Sequence, residues 1–267
     1  MKRKLPFIII TIILLSIFGY SFFHIINYVI ENQKIKNKLS QIEQKSNIKE
    51  INDTKKTKVI ETVEASKIDP YWDFIKYKLI DVNIEKLKRE NKDTVGWIQV
   101  LGTNINYPFV QTNNNEYYLT HSFDHSYNSA GWVFLDYRNN INIQEKNFII
   151  YAHGRLDQTM FGSLKNILKS EWLKQKENYV VRISTEKYNA LYQIFSVYHI
   201  PTTNDYLQID FETEEEYKSL LDKLINRSMH NFSTQISSKD KILSLSTCYN
   251  EKEKMVMHAK LIKIEEK

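Results

Sequence analysis

Cys248 is the only cysteine in 267 residues, and it closes the segment KILSLSTC, residues 241–248. Period-two alternation there puts Leu243 and Leu245 on one face of a strand. Ile242, Ser244, Ser246 and Cys248 fall on the other. The thiol therefore stands at a strand end, on the small and polar side. A lone thiol in that place is either a small core side chain or a nucleophile. A nucleophile needs a neighbour that takes its proton or stabilises the thiolate. Seven histidines are available. His24 lies in an apolar N-terminal run, His121 and His125 in a polar loop, and His199 and His230 near segment ends. His153 follows the apolar strand Phe148–Tyr151 after one alanine, a place where side chains meet at the end of a barrel. His258 comes after the cysteine. If Lys254 pairs opposite Cys248, His258 faces Ser244, roughly 13 Å along the strand at about 3.3 Å per residue. That is too far to share a proton with the thiol. Cys248 and His153 are the candidate pair, and at this level a structural role stays open for each.

The elements that must position this pair are short strands. GWIQV, NINYPFVQ, GWVFLDYR, NFIIYAH, NYVVRIS, ALYQIFSVYHI, KILSLSTC and KMVMHAKLIKI are rich in β-branched and aromatic residues. Turn residues such as Gly102, Asn113–Asn115, Asn139 and Asn178 separate them. The expected fold is mainly β with helical inserts: a closed antiparallel barrel of about eight strands. Tyr71, Trp72, Ile75 and Leu79 have the spacing of a helix packing face, and a short helix is expected from Val82 to about Asn91. Two helical inserts are expected, Met160 to about Lys176 and Thr213 to about Ser228. The second places Tyr217, Leu220, Leu221 and Leu224 on one stripe.

The N-terminus sets the compartment. Lys2-Arg3-Lys4 precedes an uncharged run from Leu5 to Phe23, which as a helix spans roughly 28 Å. The run ends without a small-x-small cleavage site. The expected organisation is a cytoplasmic N-terminus at 1–4, a transmembrane signal anchor at 5–27, a polar stalk at 28–68 and a catalytic domain at 69–267. The basic cluster stays inside and the domain lies outside the cell. Lysines near the bilayer would meet membrane lipid.

Composition excludes several classes. The charge is +5, from 37 Lys+Arg against 32 Asp+Glu, with no concentrated basic stripe for nucleic acid. One cysteine excludes an internal disulfide framework and multi-cysteine metal sites. No H-E-x-x-H-like spacing occurs, so neither a metal nor another cofactor is expected.

The segments GWIQVLGTNINYPFVQ, NNEYYL, GWVFLDYRN, NFIIYAHG and LSLSTC, in that order, resemble the sortase family, class B most closely. The resemblance covers about Leu87 to Ile264. It implies a membrane-anchored cysteine transpeptidase of Gram-positive bacteria. Cys248 would be the nucleophile and His153 the acid and base. The substrate would be a secreted protein bearing a C-terminal sorting motif of Asn-Pro-x-Thr type, cleaved after Thr. The acceptor would be an amine of a peptidoglycan precursor or cross-bridge. By motif match Asn115 and Leu119 line the substrate groove, Ser246 and Thr247 flank the nucleophile, and the Thr213–Ser228 helix walls the groove.

One feature departs from the family pattern. Sortases carry an Arg shortly after the Cys, and Tyr249–Lys267 contains none. Lys254 falls at that position and can supply the charge, though not a rigid two-pronged donor. Arg155 is a second possible cation. The missing Arg keeps open a weakened sortase fold that binds peptides. A third reading is another secreted Cys/His acyl-transferase of L,D-transpeptidase type. It fits poorly because that family expects Gly where Thr247 stands.

Overall fold

The computed structural model describes residues 5–60, 69–142, 145–248 and 252–267; the side chains of Leu5 and Cys248 lie outside the described residues. In chain order the elements are α1 (Leu5–Ser46), β1 (Lys49–Ile51), β2 (Thr57–Val59), α2 (Tyr71–Phe74), β3 (Leu79–Asp81), α3 (Ile84–Lys88), β4 (Thr94–Val100) and β5 (Asn106–Val110). They continue with β6 (Phe134–Leu135), β7 (Asn147–Tyr151), α4 (Ser170–Leu173), β8 (Val180–Thr185), β9 (Tyr188–Pro201), α5 (Glu214–Arg227), β10 (Ile242–Cys248) and β11 (Glu253–Glu266).

Successive side chains point to opposite faces, which gives each strand an interior face, and closing the sheet removes its edges. Eight strands form the ring β10-β7-β6-β5-β4-β8-β9-β11, and β11 returns to pair with β10. All eight strand segments read from the sequence form strands. The sheet is mixed, however, and not purely antiparallel: β7 and β10 run parallel, as do β5 and β6. Alternation within a strand carries no information about its neighbour's direction, so the sequence could not reveal this. Leu243, Leu245, Met255 and Met257 fill the interior. Ile242 and Val256, of opposite parity, pack outward with Phe195 and Tyr198 under α5.

Helix α5 forms where its sequence dictates. The Thr213 hydroxyl caps it by accepting from the Glu216 amide at 3.1 Å, an N-cap worth about 1 kcal/mol. Three glutamates occupy its first turn, where the helix dipole favours negative charge. Its stripe of Tyr217, Leu220, Leu221 and Leu224 is buried. The 160–176 insert is only partly α-helical: a 3-10 segment, Gly162–Leu168, precedes the single turn of α4. The expected 71–79 helix stops at Phe74, because Leu79–Asp81 leaves to pair with β1.

The stretch 28–68 differs from the solvated spacer its composition suggests. Its described part, 28–60, is folded against the barrel. Helix α1 runs unbroken through the apolar segment into this stretch, where Ile35 and Ile42 are fully buried. Strand β2 pairs with the far end of β11. Two buried isoleucines at i and i+7 are a sparse signal, but each is worth about 2 kcal/mol once covered.

Candidate active site

The site lies where β7 and β10 end together. Their parallel ladder runs from Ile242↔Asn147 to Ser246↔Tyr151. The Ala152 amide extends it by donating to the Ser246 carbonyl at 3.4 Å. His153 and Cys248 are each two residues beyond the last registered pair. Parallel strands lie about 4.8 Å apart, so equal overhangs bring both residues to one corner of the barrel. Lys254 joins them from the other side, since β11 registers Cys248↔Lys254 and Ser244↔His258. The register assumed from the sequence is therefore the one formed.

A cavity of about 410 Å³ opens at this corner. Asn115, Leu119, His153, Ser246, Thr247 and Lys254 all line it. Every described member of the predicted site is thus brought to one cavity. Phe134, Tyr151, Ala152 and the Thr203–Leu207 segment supply further walls. A second, more polar recess of about 570 Å³ shares Asn115, Tyr151, Asn204 and Leu207 with it and adds Arg138 and Gln208.

His153 is half-buried, and its Nε2 lies 2.8 Å from the Leu119 carbonyl. A carbonyl only accepts, so Nε2 carries the hydrogen and Nδ1 is the nitrogen left to take or give a proton.

Sequence reasoning missed the support beneath this surface. Asp136 is fully buried. Its carboxylate accepts from Arg138 Nε at 2.9 Å and Nη2 at 2.8 Å, from Tyr151 Oη at 2.9 Å and from Asn115 Nδ2 at 3.1 Å. Burial pushes the Asp136 carboxyl up, but the hydrogen bonds from Arg138 and Tyr151 outweigh it and hold the group below its ordinary value. Asn115 also accepts from the Tyr137 amide at 3.0 Å, so its amide is oriented from both ends. Arg138 spans to the Leu207 carbonyl at 3.0 Å and ties the 202–211 segment to the strand end. The signal available was an Asp and an Arg two apart at a strand end.

Ser246 meets the Tyr206 hydroxyl at 2.8 Å. The Thr247 hydroxyl is buried without a hydrogen-bond partner among the described residues. Two expectations need correction. Helix α5 does not wall the cavity; the segment containing Thr203–Leu207 does. α5 braces that segment from behind, through Arg227 paired to both oxygens of Asp205 at 2.9 and 2.6 Å. Arg155 is no cation of the site: its guanidinium contacts Asn32 and lies 4.9 Å from the Tyr28 ring, both on α1.

His258, four residues along β11 from Lys254, is fully buried. Its Nδ1 meets Ser244 Oγ at 2.7 Å and its Nε2 meets Tyr198 Oη at 2.8 Å. Ser244 in turn donates to Asn147 Oδ1 at 2.7 Å. Burial, reinforced by the Arg227 charge, pushes His258 down to about 3. It is a neutral packing and hydrogen-bonding residue.

A closed barrel of this topology, with a histidine and the only cysteine at one strand-end corner, is the architecture of a cysteine acyl-transferase. The sortase domain family model matches residues 98–262, and the chain belongs to the sortase family. Sortase B of Staphylococcus aureus is 35% identical over 184 residues, 67% of this chain and 75% of that protein. The structure of a Staphylococcus aureus sortase B–substrate complex matches at 34% identity and a TM-score of 0.63, over 67% of this chain and 84% of that one. Sortase B from Bacillus anthracis matches at 28% identity and a TM-score of 0.70, over 88% of this chain and 99% of that one. The chain is a class B-like sortase, a cysteine transpeptidase, and the L,D-transpeptidase reading falls away.

Proposed function

We propose that Cys248 and His153 carry out transpeptidation on a sorting peptide of Asn-Pro-x-Thr type, with Lys254 in place of the family's Arg. The observation that carries this reading is the convergence of six predicted residues on one cavity at the β7/β10 corner. The Cys248 thiolate attacks the Thr carbonyl carbon. A thioester forms, the Thr C–N bond breaks, and His153 gives its proton to the departing amine. An acceptor amine of peptidoglycan then attacks the thioester and forms the new amide. His153 takes the amine's proton, and the thiolate returns. Lys254, opposite Cys248 in the β11 ladder, supplies positive charge to the oxyanion at both stages. Asn115 and Leu119 bind the peptide, and Ser246 and Thr247 shape the floor beside the nucleophile.

Helix α1 is long and apolar enough to cross a membrane. With Lys2, Arg3 and Lys4 on the cytoplasmic side, the anchor spans 5–27 and the barrel faces outward. The substrates are then secreted proteins that reach the outer face of the membrane. The test is mass spectrometry of the full chain after exposure to an Asn-Pro-x-Thr peptide library. A Cys248 adduct ending in Thr is expected. Cleavage without modification of Cys248, or adducts ending in another residue, overturns the assignment.

A further inference from the structure

Two separate loops hold His153 in place, and both are fastened to α1. The first is 117–131, whose Leu119 carbonyl meets His153 Nε2 at 2.8 Å. On the same loop Ser129 donates to the Glu31 carboxylate at 2.6 Å, and Asp124 pairs with Lys38 at 3.5 Å. The second loop is 153–162, which begins at His153 itself. Its Phe161 amide donates to the His153 carbonyl at 3.0 Å. Gly162 lies so close that a Cβ there would sit 2.1 Å from the Arg155 carbonyl oxygen. Arg155 leaves this loop toward α1: its side chain is only 8% exposed, it bonds the Asn32 amide oxygen, and it lies over the Tyr28 ring.

Tyr28, Glu31, Asn32 and Lys38 occupy three helical turns immediately after the apolar span. Below them Ile35 and Ile42 are buried, and Glu43 accepts from Asn106 at 2.7 Å. The helix is therefore packed along the barrel and does not swing from it. We propose that the membrane-proximal turns of α1 are a positioning clamp for His153: Asn32 and Tyr28 hold the 153–162 loop through Arg155, while Glu31 and Lys38 hold the loop that supplies the Leu119 carbonyl. The membrane anchor thereby tunes the transpeptidation of the barrel it tethers. This inference rests on His153 being the acid and base.

A proton carrier displaced by a fraction of an ångström loses rate with little loss of peptide affinity. The clamp predicts that Asn32→Ala and Tyr28→Ala, made in the full chain in lipid nanodiscs, each lower kcat by about tenfold with KM within about twofold. They also shift the limb of the kcat pH profile that reports the histidine. Tyr28→Phe keeps the aromatic face for the guanidinium and restores the rate. Both side chains are partly exposed on the helix surface, so the barrel core is untouched and the melting temperature stays put. His153→Ala, run in the same nanodiscs, separates the two readings. If it turns over normally, the catalytic assignment fails. If it is inactive while Asn32→Ala and Tyr28→Ala keep both the rate and the pH profile, the clamp alone is overturned.

Discussion

Two histidines neighbour the strand that ends in Cys248, and the protein treats them oppositely. His153 sits at the open corner, lining the cavity, with one ring nitrogen on the Leu119 carbonyl. His258 sits opposite Ser244 in the β10/β11 ladder, sealed, with both nitrogens bonded to hydroxyls. The same imidazole lines the open cavity in one place and is a neutral strut in the other. What differs is water: burial disfavours the charged form, and a ring that never charges moves no protons near neutral pH. β11 repeats the contrast with lysines on one face, where Lys254 lines the cavity and Lys260 is fully buried beneath Tyr71.

The largest effect that would break the comparison is on rate. His153→Ala lowers kcat by about 10³-fold, and Cys248→Ala abolishes acyl-enzyme formation, both with urea midpoints near wild type. A dead His258→Ala enzyme with normal stability would reverse the two roles. Next comes Lys254. Lys254→Ala reduces kcat/KM by about 10²-fold in a fluorogenic peptide assay, and Lys254→Arg restores activity to wild type or above it. Full activity of Lys254→Ala sinks its role as the oxyanion cation.

The third effect is on folding. His258→Ala removes the ring partner of the Tyr198 hydroxyl and one of the two partners of Ser244, and costs about 3 kcal/mol in urea unfolding, while kcat per folded molecule stays within about twofold of wild type. The last is a pH dependence. The folded value of His258, about 3, lies below the unfolded value of about 6.5. The unfolded chain therefore binds the proton first. This contribution to stability is complete above about pH 6.5 and is lost as the pH falls toward about 3. Asp136, held below its ordinary value, adds a loss that begins as the pH falls below about 3.9. Melting temperatures across this window should decline in wild type and less steeply in His258→Gln. An equal decline in both would place the acid sensitivity elsewhere.

Much of this was legible without coordinates, for reasons visible in particular residues. Period-two alternation exposed the strand ending in Cys248, because apolar parity is a local property. Thr213 and the Tyr217–Leu224 stripe marked α5, because caps and helical faces are local too. Asp136 was not legible as the hub beneath the site, since its partners Asn115 and Tyr151 lie 21 and 15 residues away. Nor was the docking of α1, because Arg155 and Asn32 are 123 residues apart and the segment between the apolar run and the barrel is compositionally a spacer.

The sequence by itself determined the strand segments, the apolar N-terminal helix, the lone thiol and the candidate histidine, because each depends on residue type and short-range spacing. Only the tertiary structure decided which strands run parallel, that 203–207 and not α5 walls the cavity, and that Arg155 turns to α1. Those outcomes depend on which surfaces meet after closure, and closure depends on contacts between residues far apart in the chain.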